Sequence, residues 1–329
     1  MTEKQDDNRT YYLGLDDEDV IGKYIGIIKN IRRKVQKEQE QKKTDKEREE
    51  KDKKEGKGIS FFYRGQMNEK YDPVPYVLRS EQYGYEDLYW HEIQKLREND
   101  FSGKSHLDKL LMMQHYACPT RMMDVSSSPL TALFFACYSL TGKYEENFSN
   151  DGVVYVYTQE TRKVKYFNSD TALVLACLAK FNEDDKKLLY ERCKKGGKLK
   201  VKNSKRKYKD VIERFYYEIR SEHPAFSEKI KCEDLLNPLF VRPNDKNRRI
   251  QRQHGAFIMA GLTEDNKDAV KQIKKLKPYK IVIHYGKKKQ ILKDLELLNV
   301  NRATLLPDLE NTAYYLIEKY TNKNGLYEI

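Results

Sequence analysis

The sequence lacks any apolar run approaching the roughly 20 residues that a membrane-spanning helix needs. Its first residues, MTEKQDDNRT, are polar and contain no apolar signal-peptide segment. It has no Gly-rich P-loop, and its six histidines form no H-E-x-x-H or other paired metal spacing. We therefore expect a cytoplasmic protein with no membrane partner and no metal site.

Cysteine is too scarce and too scattered to predict a disulfide framework. The five cysteines are an odd number, and no two of them form a C-x-x-C pair. In a cytoplasmic chain this pattern favours free, buried thiols. The residues concerned are Cys118, Cys137, Cys177, Cys193 and Cys232.

Acidic residues are fewer than basic ones: the chain has 51 aspartates and glutamates and 63 lysines and arginines, which gives a net charge of +12. Such an excess attracts nucleic acid or another polyanion through counterion release. The lysines are interleaved with glutamates, however, and a solvated ionic surface explains the same composition. The Lys-rich surface thus has two interpretations, a site for nucleic acid or an anionic protein, or solvation alone.

The least polar stretch, residues 110–138, organises the chain. Residues 107–115 carry apolar side chains at helical spacing after a cap at Ser102, with Ser105 as the alternative, and Pro119 stops that helix. Serines at 126–128 offer N-cap hydroxyls, and Pro129 suits the first turn of a second apolar helix. The connector holds a polar set that must find partners in an apolar frame: Gln114, His115, Thr120, Arg121 and Asp124.

The remaining pattern mixes helices and strands without strict βαβ alternation. A helix is predicted over about 16–54, with its apolar face ending at Val35 before a charged insertion over 36–57. Short strands are predicted at 59–63, 152–158, 238–243, 256–260 and 279–284, with 163–167 as a hairpin partner and 186–209 as a surface loop. We predict an α+β fold with mixed short sheets packed by helices, an N-terminal helical arm over 1–58 and one domain over 59–329.

Arg64, Gly65 and Gln66 directly follow the first core strand. An arginine beside a glycine that lets the backbone approach closely suits a phosphate or carboxylate partner. The alternative is a structural salt bridge to a buried acid such as Asp124. Both interpretations hold if the pair borders a cleft.

Several stretches together resemble the FRG domain family, named for its Phe-Arg-Gly core. Residues 61–66 (FFYRGQ) resemble its opening signature, and 114–124 (QHYACPTRMMD) its central block, with Ala117 in place of a usual Gly. Residues 132–136 (ALFFA), 247–257 (NRRIQRQHGAF) and 304–309 (TLLPDL) resemble its later blocks. In order and spacing the resemblance covers about residues 59 to 320.

The chain is also similar, more distantly, to Arg-Ser-Glu ADP-ribosyltransferases, which bind NAD in a cleft between two small sheets. This similarity implies that Arg64 contacts the pyrophosphate or the nicotinamide ribose and that Thr120 or Ser126 takes the serine position. The late block offers Gln253 where a catalytic glutamate is expected, with Glu264 just beyond the strand. An amide does not supply the negative charge that stabilises an oxocarbenium-like ribose.

We therefore expect a polar cleft for a phosphate-bearing ligand, with NAD as the candidate cofactor and ADP-ribosyl transfer or NAD cleavage as the first reaction to test. The catalytic candidates are His115 (a general acid or base, or a packed hydrogen-bonder), Thr120 and Gln253, and the ligand-binding candidates are Arg64, Gly65, Gln66, Gln114, Arg121, Asp124 and Arg249. The alternative is a non-enzymatic module in which Arg and Asp form a buried ionic lattice and the Lys-rich surface binds nucleic acid or an anionic protein. A bacterial defence component whose partner supplies the chemistry is a third hypothesis.

Overall fold

The computed structural model describes residues 9–46, 58–138, 148–202, 204–244 and 248–321. The strands are β1 (Thr10–Leu13), β2 (Ile59–Gln66), β3 (Met122–Ser126), β4 (Gly152–Glu160), β5 (Lys165–Tyr166), β6 (Leu239–Arg242), β7 (Gly255–Met259) and β8 (Tyr279–Ile283). The helices are α1 (Val20–Lys46), α2 (Glu86–Leu96), α3 (Glu98–Phe101), α4 (His106–His115), α5 (Pro129–Cys137), α6 (Asp170–Cys177), α7 (Glu183–Cys193), α8 (Arg206–Glu222), α9 (Cys232–Leu236), α10 (Arg248–Arg252), α11 (Asn266–Lys274), α12 (Lys288–Leu297), α13 (Arg302–Leu305) and α14 (Leu309–Thr321). None of these helices is long and apolar enough to cross a membrane.

The eight strands form one sheet in the order β1-β8-β4-β2-β3-β7-β6-β5. The two outermost pairs, β1–β8 and β5–β6, are parallel, and the other neighbours are antiparallel. At the centre of the sheet, β2 and β3 share a single residue pair, Tyr63 opposite Ser126. The sheet therefore divides into two four-stranded halves joined at that pair. The helices pack against both faces, which confirms the predicted α+β class.

The composition of β2 explains its central place in the sheet. Phe61 and Tyr63 point into the core that α1 and α5 cover, whereas Phe62 points into the core on the other face. There the Phe62 ring stacks on Phe240 of β6 with 5.0 Å between ring centroids. Because successive side chains of a strand point to opposite faces, a run of aromatic residues is stable only where both faces are buried.

Gly65 allows α5 to lie directly on β2. A Cβ atom at Gly65 would lie 1.9 Å from the carbonyl oxygen of Ala132 and 2.6 Å from the backbone nitrogen of Ala136. Gly152 of β4 gives the same clearance, since a Cβ there would lie 2.2 Å from the carbonyl oxygen of Ala136. The helix is thus held against the end of β2, next to Arg64.

The N-terminal region differs from the prediction in two ways. Residues 10–13 form β1, a strand parallel to β8 that the sequence did not indicate. The helix predicted from about residue 16 begins at Val20, because the Asp19 carboxylate accepts the N–H of Gly22 and caps the first turn. It extends to Lys46, and residues 47–57 of the charged insertion lie outside the described residues. The division into an arm and a domain stays a prediction.

The predicted hairpin between 152–158 and 163–167 is wrong. A 3-10 turn at Thr161–Lys163 directs the chain away from β4. The short strand β5 that follows pairs in parallel with β6, opposite Val241 and Arg242. Proximity in sequence favoured the hairpin, whereas the structure places β5 at the opposite edge of the sheet.

Two stretches for which neither a helix nor a strand was assigned contain regular structure. The connector between α4 and α5 includes the central strand β3, because Met123 and Val125 are buried between the sheet and its helices. Residues 186–193, predicted as part of a surface loop, belong to α7. Leu189 and Cys193 on that helix are buried in the core, which fixes it against the rest of the fold.

Candidate functional site

A cleft of about 340 Å³ opens where β2 and β3 diverge beyond their single shared pair. Its walls come from the end of β2, from β3, from α5 and from the α10–β7 turn. The cleft brings together these predicted site residues: Arg64, Gly65, Gln66, Asp124, Arg249 and Gln253. An adjoining hollow of about 180 Å³ shares Arg64 and Asp124 with the cleft and adds Gln114 and Thr120.

Arg64 lies at the point where the two strands separate. Its Nη1 donates a 2.6 Å hydrogen bond to the carbonyl oxygen of Asp124, which links strands that share no backbone pair there. Its Nε is buried and has no hydrogen-bond partner among the described residues. Burial lowers the pKa of the Arg64 guanidinium from its usual value and Asp124 opposes this change, yet an arginine remains a cation at neutral pH. A half-buried cation with an unused donor is suited to an anionic ligand.

A relay of hydrogen bonds positions the Asp124 carboxylate. Thr120 Oγ1 donates to Gln114 Oε1 at 2.7 Å, which orients the amide so that Gln114 Nε2 donates to Asp124 Oδ1, also at 2.7 Å. Thr120 is buried and lines the smaller hollow rather than the cleft. The geometry therefore supports a positioning role for Thr120 and Gln114, acting through Asp124.

The opposite wall is held by the turn between α10 and β7. Ser126 Oγ donates a 2.6 Å bond to the carbonyl oxygen of Gln253, and Gln253 Nε2 donates to the carbonyl oxygen of Leu305 at 3.1 Å. Arg249 on α10 lines the same wall. At the end of β2, Gln66 Oε1 is buried and has no hydrogen-bond partner in the described part of the chain. Two carboxamides and two guanidiniums thus converge on the cleft.

His115 ends α4 and lines neither the cleft nor the smaller hollow. Burial, and then the charge of Arg249, lower the pKa of His115 from its usual value, whereas Asp308 acts in the opposite direction. The imidazole is therefore neutral at pH 7. Its Nδ1 is buried without a hydrogen-bond partner in the residues that the structure describes.

Arg121 is placed away from the cleft, in a buried ion cluster. It is 2% exposed, its Nε donates to Glu86 Oε1 at 2.8 Å, and its Nη2 bonds the other oxygen of the same carboxylate. Lys186 Nζ of α7 lies 2.8 Å from Glu86 Oε2. Through the shared carboxylate of Glu86, the cluster links α2 and α7 to the residue that precedes β3. Because all of its partners in the described part of the chain are within this cluster and the backbone, the geometry gives no support to the prediction that Arg121 contacts a ligand.

Two aromatic side chains of the cleft, Tyr71 and Phe135, were not predicted. Phe135 carried a usable signal, because it lies outside the three- and four-residue spacing of the apolar face of α5; in the structure it is only partly buried and packs at the edge of the core that Leu133 and Phe134 enter. A large apolar side chain at the edge of a helix's buried face leaves part of its surface free for a further contact. For Tyr71, which precedes the proline-rich segment, the sequence gave no comparable sign.

Ala117, in the turn after α4, has a φ of 61°, in the left-handed region. We expect Ala117→Gly to raise the free energy of unfolding by about 0.5–1 kcal/mol, because left-handed strain costs an L-residue about 1–2 kcal/mol and glycine loses part of this to backbone entropy. Urea unfolding measures the change. The control Ala313→Gly, on an exposed position of α14, should lower stability by about 1 kcal/mol. An unchanged or lower midpoint for Ala117→Gly would contradict this expectation.

A comparison with models of known protein families agrees with the resemblance of residues 61–66 and 114–124 to the FRG domain. Comparison with curated proteins and with solved structures found no match for this chain. The family model of the FRG domain matches residues 59–144, a range that runs from β2 through β3 and α5. It includes all the predicted site residues except Arg249 and Gln253. Residues 59–144 of this chain are therefore an FRG domain.

Proposed function

We propose that the cleft binds a phosphate-bearing nucleotide, with an NAD-like dinucleotide as the first candidate ligand. The observation that carries the proposal is Arg64, a half-buried guanidinium with an unused Nε where the two halves of the sheet separate. NAD is the first candidate because of the resemblance to ADP-ribosyltransferases suggested by the sequence, which would place it between two small sheets. A cleft of about 340 Å³ is within the range typical of small-molecule sites.

The charges in the cleft favour an anion. Arg64 and Arg249 supply two planar guanidiniums, and the acid among the described lining residues is Asp124. Guanidinium groups bind phosphate oxygens through two parallel N–H bonds, so they hold a pyrophosphate without a P-loop. Gln66 and Gln253 offer amide groups for ribose hydroxyls.

Aromatic side chains provide surfaces for the rings of a dinucleotide. Tyr71 is 52% exposed at the cleft, and Phe135 lines the α5 wall. Offset or edge-on packing against such rings stabilises a nucleobase or a nicotinamide by burying its faces. The cleft thus offers cations for the phosphates and apolar surface for a ring.

NAD cleavage or ADP-ribosyl transfer is the reaction that we propose to test. Breaking the bond between nicotinamide and ribose builds positive charge on the ribose, and a nearby carboxylate stabilises it. Gln253 is an amide, and Glu264 lies past the far end of β7, where its carboxylate is 3.7 Å from Lys194 Nζ. Asp124 lies at the cleft and is oriented by Gln114, so we assign this electrostatic role to Asp124.

We expect Asp124→Asn to separate binding from turnover. Nicotinamide release should fall by about 100-fold or more, the cost typical of losing one positioned electrostatic group. Binding of NAD should persist or tighten, because the substitution removes a negative charge near the phosphates. Chromatography measures nicotinamide release, and the ligand-induced rise in melting temperature measures binding. The control Asp100→Asn removes a carboxylate paired with Arg97 outside the cleft and should change neither quantity.

Unchanged turnover in Asp124→Asn would remove Asp124 from the chemistry. A wild-type protein that neither binds nor cleaves NAD, yet binds oligonucleotides in a salt-dependent manner, would favour the non-enzymatic module instead. One observation favours the non-enzymatic module. The Arg121 charge is spent in a buried cluster with Glu86 and Lys186, so this arginine of the central motif holds the fold together.

A further inference from the structure

A second and larger opening lies on the other side of the pair that joins the two halves of the sheet. It measures about 900 Å³ and is bordered by the start of β2, the end of β6, the α10–β7 turn and α1. We call it the Arg32–Arg242 groove after its two cationic residues. The other side chains that matter here are Ser60, Phe61, Tyr166 and His254.

Both arginines of the groove are held by neutral partners. The Arg32 guanidinium lies 4.9 Å from the centre of the Phe61 ring, and Arg242 Nη2 donates to Ser60 Oγ at 3.2 Å. Neither arginine forms an ion pair within the described residues, and no carboxylate is among the described residues that line the groove. Two oriented guanidiniums with no carboxylate beside them among the described lining residues attract an anion.

The backbone of His254 is strained in a way that places an imidazole at the groove. Its φ is 47°, and its carbonyl oxygen accepts bonds from the backbone nitrogen of Ser127 at 2.9 Å and from Ser127 Oγ at 3.2 Å. Glycine adopts this conformation without strain, whereas the Cβ atom of histidine makes it unfavourable. The side chain is exposed at the groove.

We propose that the Arg32–Arg242 groove binds single-stranded nucleic acid. Single strands are bound by a positively charged groove together with aromatic side chains on which bases stack. Tyr166 is 66% exposed at the groove and offers such a ring face, and the two arginines offer planar groups for phosphates. The size of the groove exceeds the need of one phosphate. An acidic peptide would use the cations but would leave the exposed aromatic ring without a flat partner.

The groove is separate from the cleft described above. Two contacts, from Ser126 Oγ to the carbonyl oxygen of Gln253 and from Ser127 to that of His254, form the wall between them. The cleft and the groove share none of the described residues that line them. The proposal therefore stands whether or not the cleft binds NAD.

Fluorescence anisotropy with labelled 12-nucleotide single strands tests the proposal on the full chain. Arg32→Gln/Arg242→Gln should weaken binding by at least about tenfold, since it removes two charge-assisted contacts to phosphate. The slope of log affinity against log salt should fall by about 1.4, because each phosphate contact on a single strand contributes about 0.7. The control Arg33→Gln/Arg97→Gln removes the same charge from exposed positions that do not line the groove. DNA and RNA strands are compared in parallel with a polyglutamate peptide.

A second variant, His254→Gly, distinguishes a direct loss of binding from a loss caused by unfolding. This variant should melt at a higher temperature, because glycine relieves the strain, and yet bind the single strand more weakly. Weaker binding in the groove variant and in His254→Gly, with the control unchanged, supports the proposal. Equal losses in the groove and control variants, no binding at all, or equal affinity for polyglutamate would overturn it.

Discussion

Glu86→Gln is expected to lower the free energy of unfolding by about 3–5 kcal/mol, the loss typical of breaking a buried ion pair. The substitution leaves the Arg121 and Lys186 charges buried without their shared carboxylate. Urea unfolding followed by circular dichroism measures the change. The matched control Glu92→Gln, on the exposed side of the same helix and 3.6 Å from Lys95, should cost less than about 1 kcal/mol.

The same cluster makes stability depend on acid. Burial by itself would raise the pKa of Glu86, yet Arg121 and Lys186 lower it to about 2 from 4.5. A carboxyl group whose pKa is lowered by folding stabilises the folded protein at every pH above its pKa in the unfolded chain. This contribution of about 3 kcal/mol is lost as the pH falls from about 5 toward 2. Glu86→Gln should remove that part of the acid sensitivity.

A companion variant distinguishes charge from shape. Replacing the whole cluster, as Glu86→Leu/Arg121→Met/Lys186→Met, should recover most of the stability lost in Glu86→Gln, since apolar residues of similar volume replace buried ion pairs at little cost. A Glu86→Gln protein as stable as the Glu92→Gln control would show that the cluster is not the buried, paired arrangement described here.

Gly65→Ala is expected to destabilise the protein by about 3 kcal/mol or more, at the upper end of overpacking effects. The added methyl would lie 1.9 Å from a backbone oxygen of α5, which a side-chain movement does not relieve. The helix would have to shift from β2, and the cleft wall beside Arg64 would shift with it. Nucleotide binding should therefore fall together with stability.

The control for this variant is Gly26→Ala in α1, where the added methyl meets no atom within 4 Å. It should be neutral or stabilise the helix by up to about 1 kcal/mol, because alanine favours helix over glycine. Denaturant midpoints of both variants give the comparison. If Gly65→Ala unfolds at the wild-type midpoint, close packing of α5 on β2 does not hold the cleft in shape.

Local signals in the sequence predicted local structure well. Ser128 caps α5 with Pro129 in its first turn, as predicted, whereas α4 is capped by Ser105, the alternative, and not by Ser102. The five cysteines were predicted to be free and buried; all are free thiols and four are buried, whereas Cys118 is half-buried. For Gly65 the sequence predicted close backbone approach to a phosphate or carboxylate partner, whereas in the structure Gly65 lies within β2 and the close approach is that of α5.

Contacts between distant parts of the chain could not be predicted in the same way. The partners of Arg121 come from residues 86 and 186, and nothing in the sequence near Arg121 points to either. Similarly, β5 is too short for its own residues to select β6 over β4. His115 sits next to the polar motif in sequence but outside the cleft in space, because α4 ends before the chain turns into β3. Such outcomes depend on tertiary packing.

The central claim is that Arg64 forms part of an anion-binding cleft, and calorimetric titration of NAD tests it most directly. The account predicts that the wild-type protein binds NAD, that Arg64→Gln weakens this binding by at least about tenfold, and that Arg97→Gln, at an exposed arginine outside the cleft, leaves it unchanged. Absence of binding to the wild-type protein, or equal affinity in all three proteins, would contradict it.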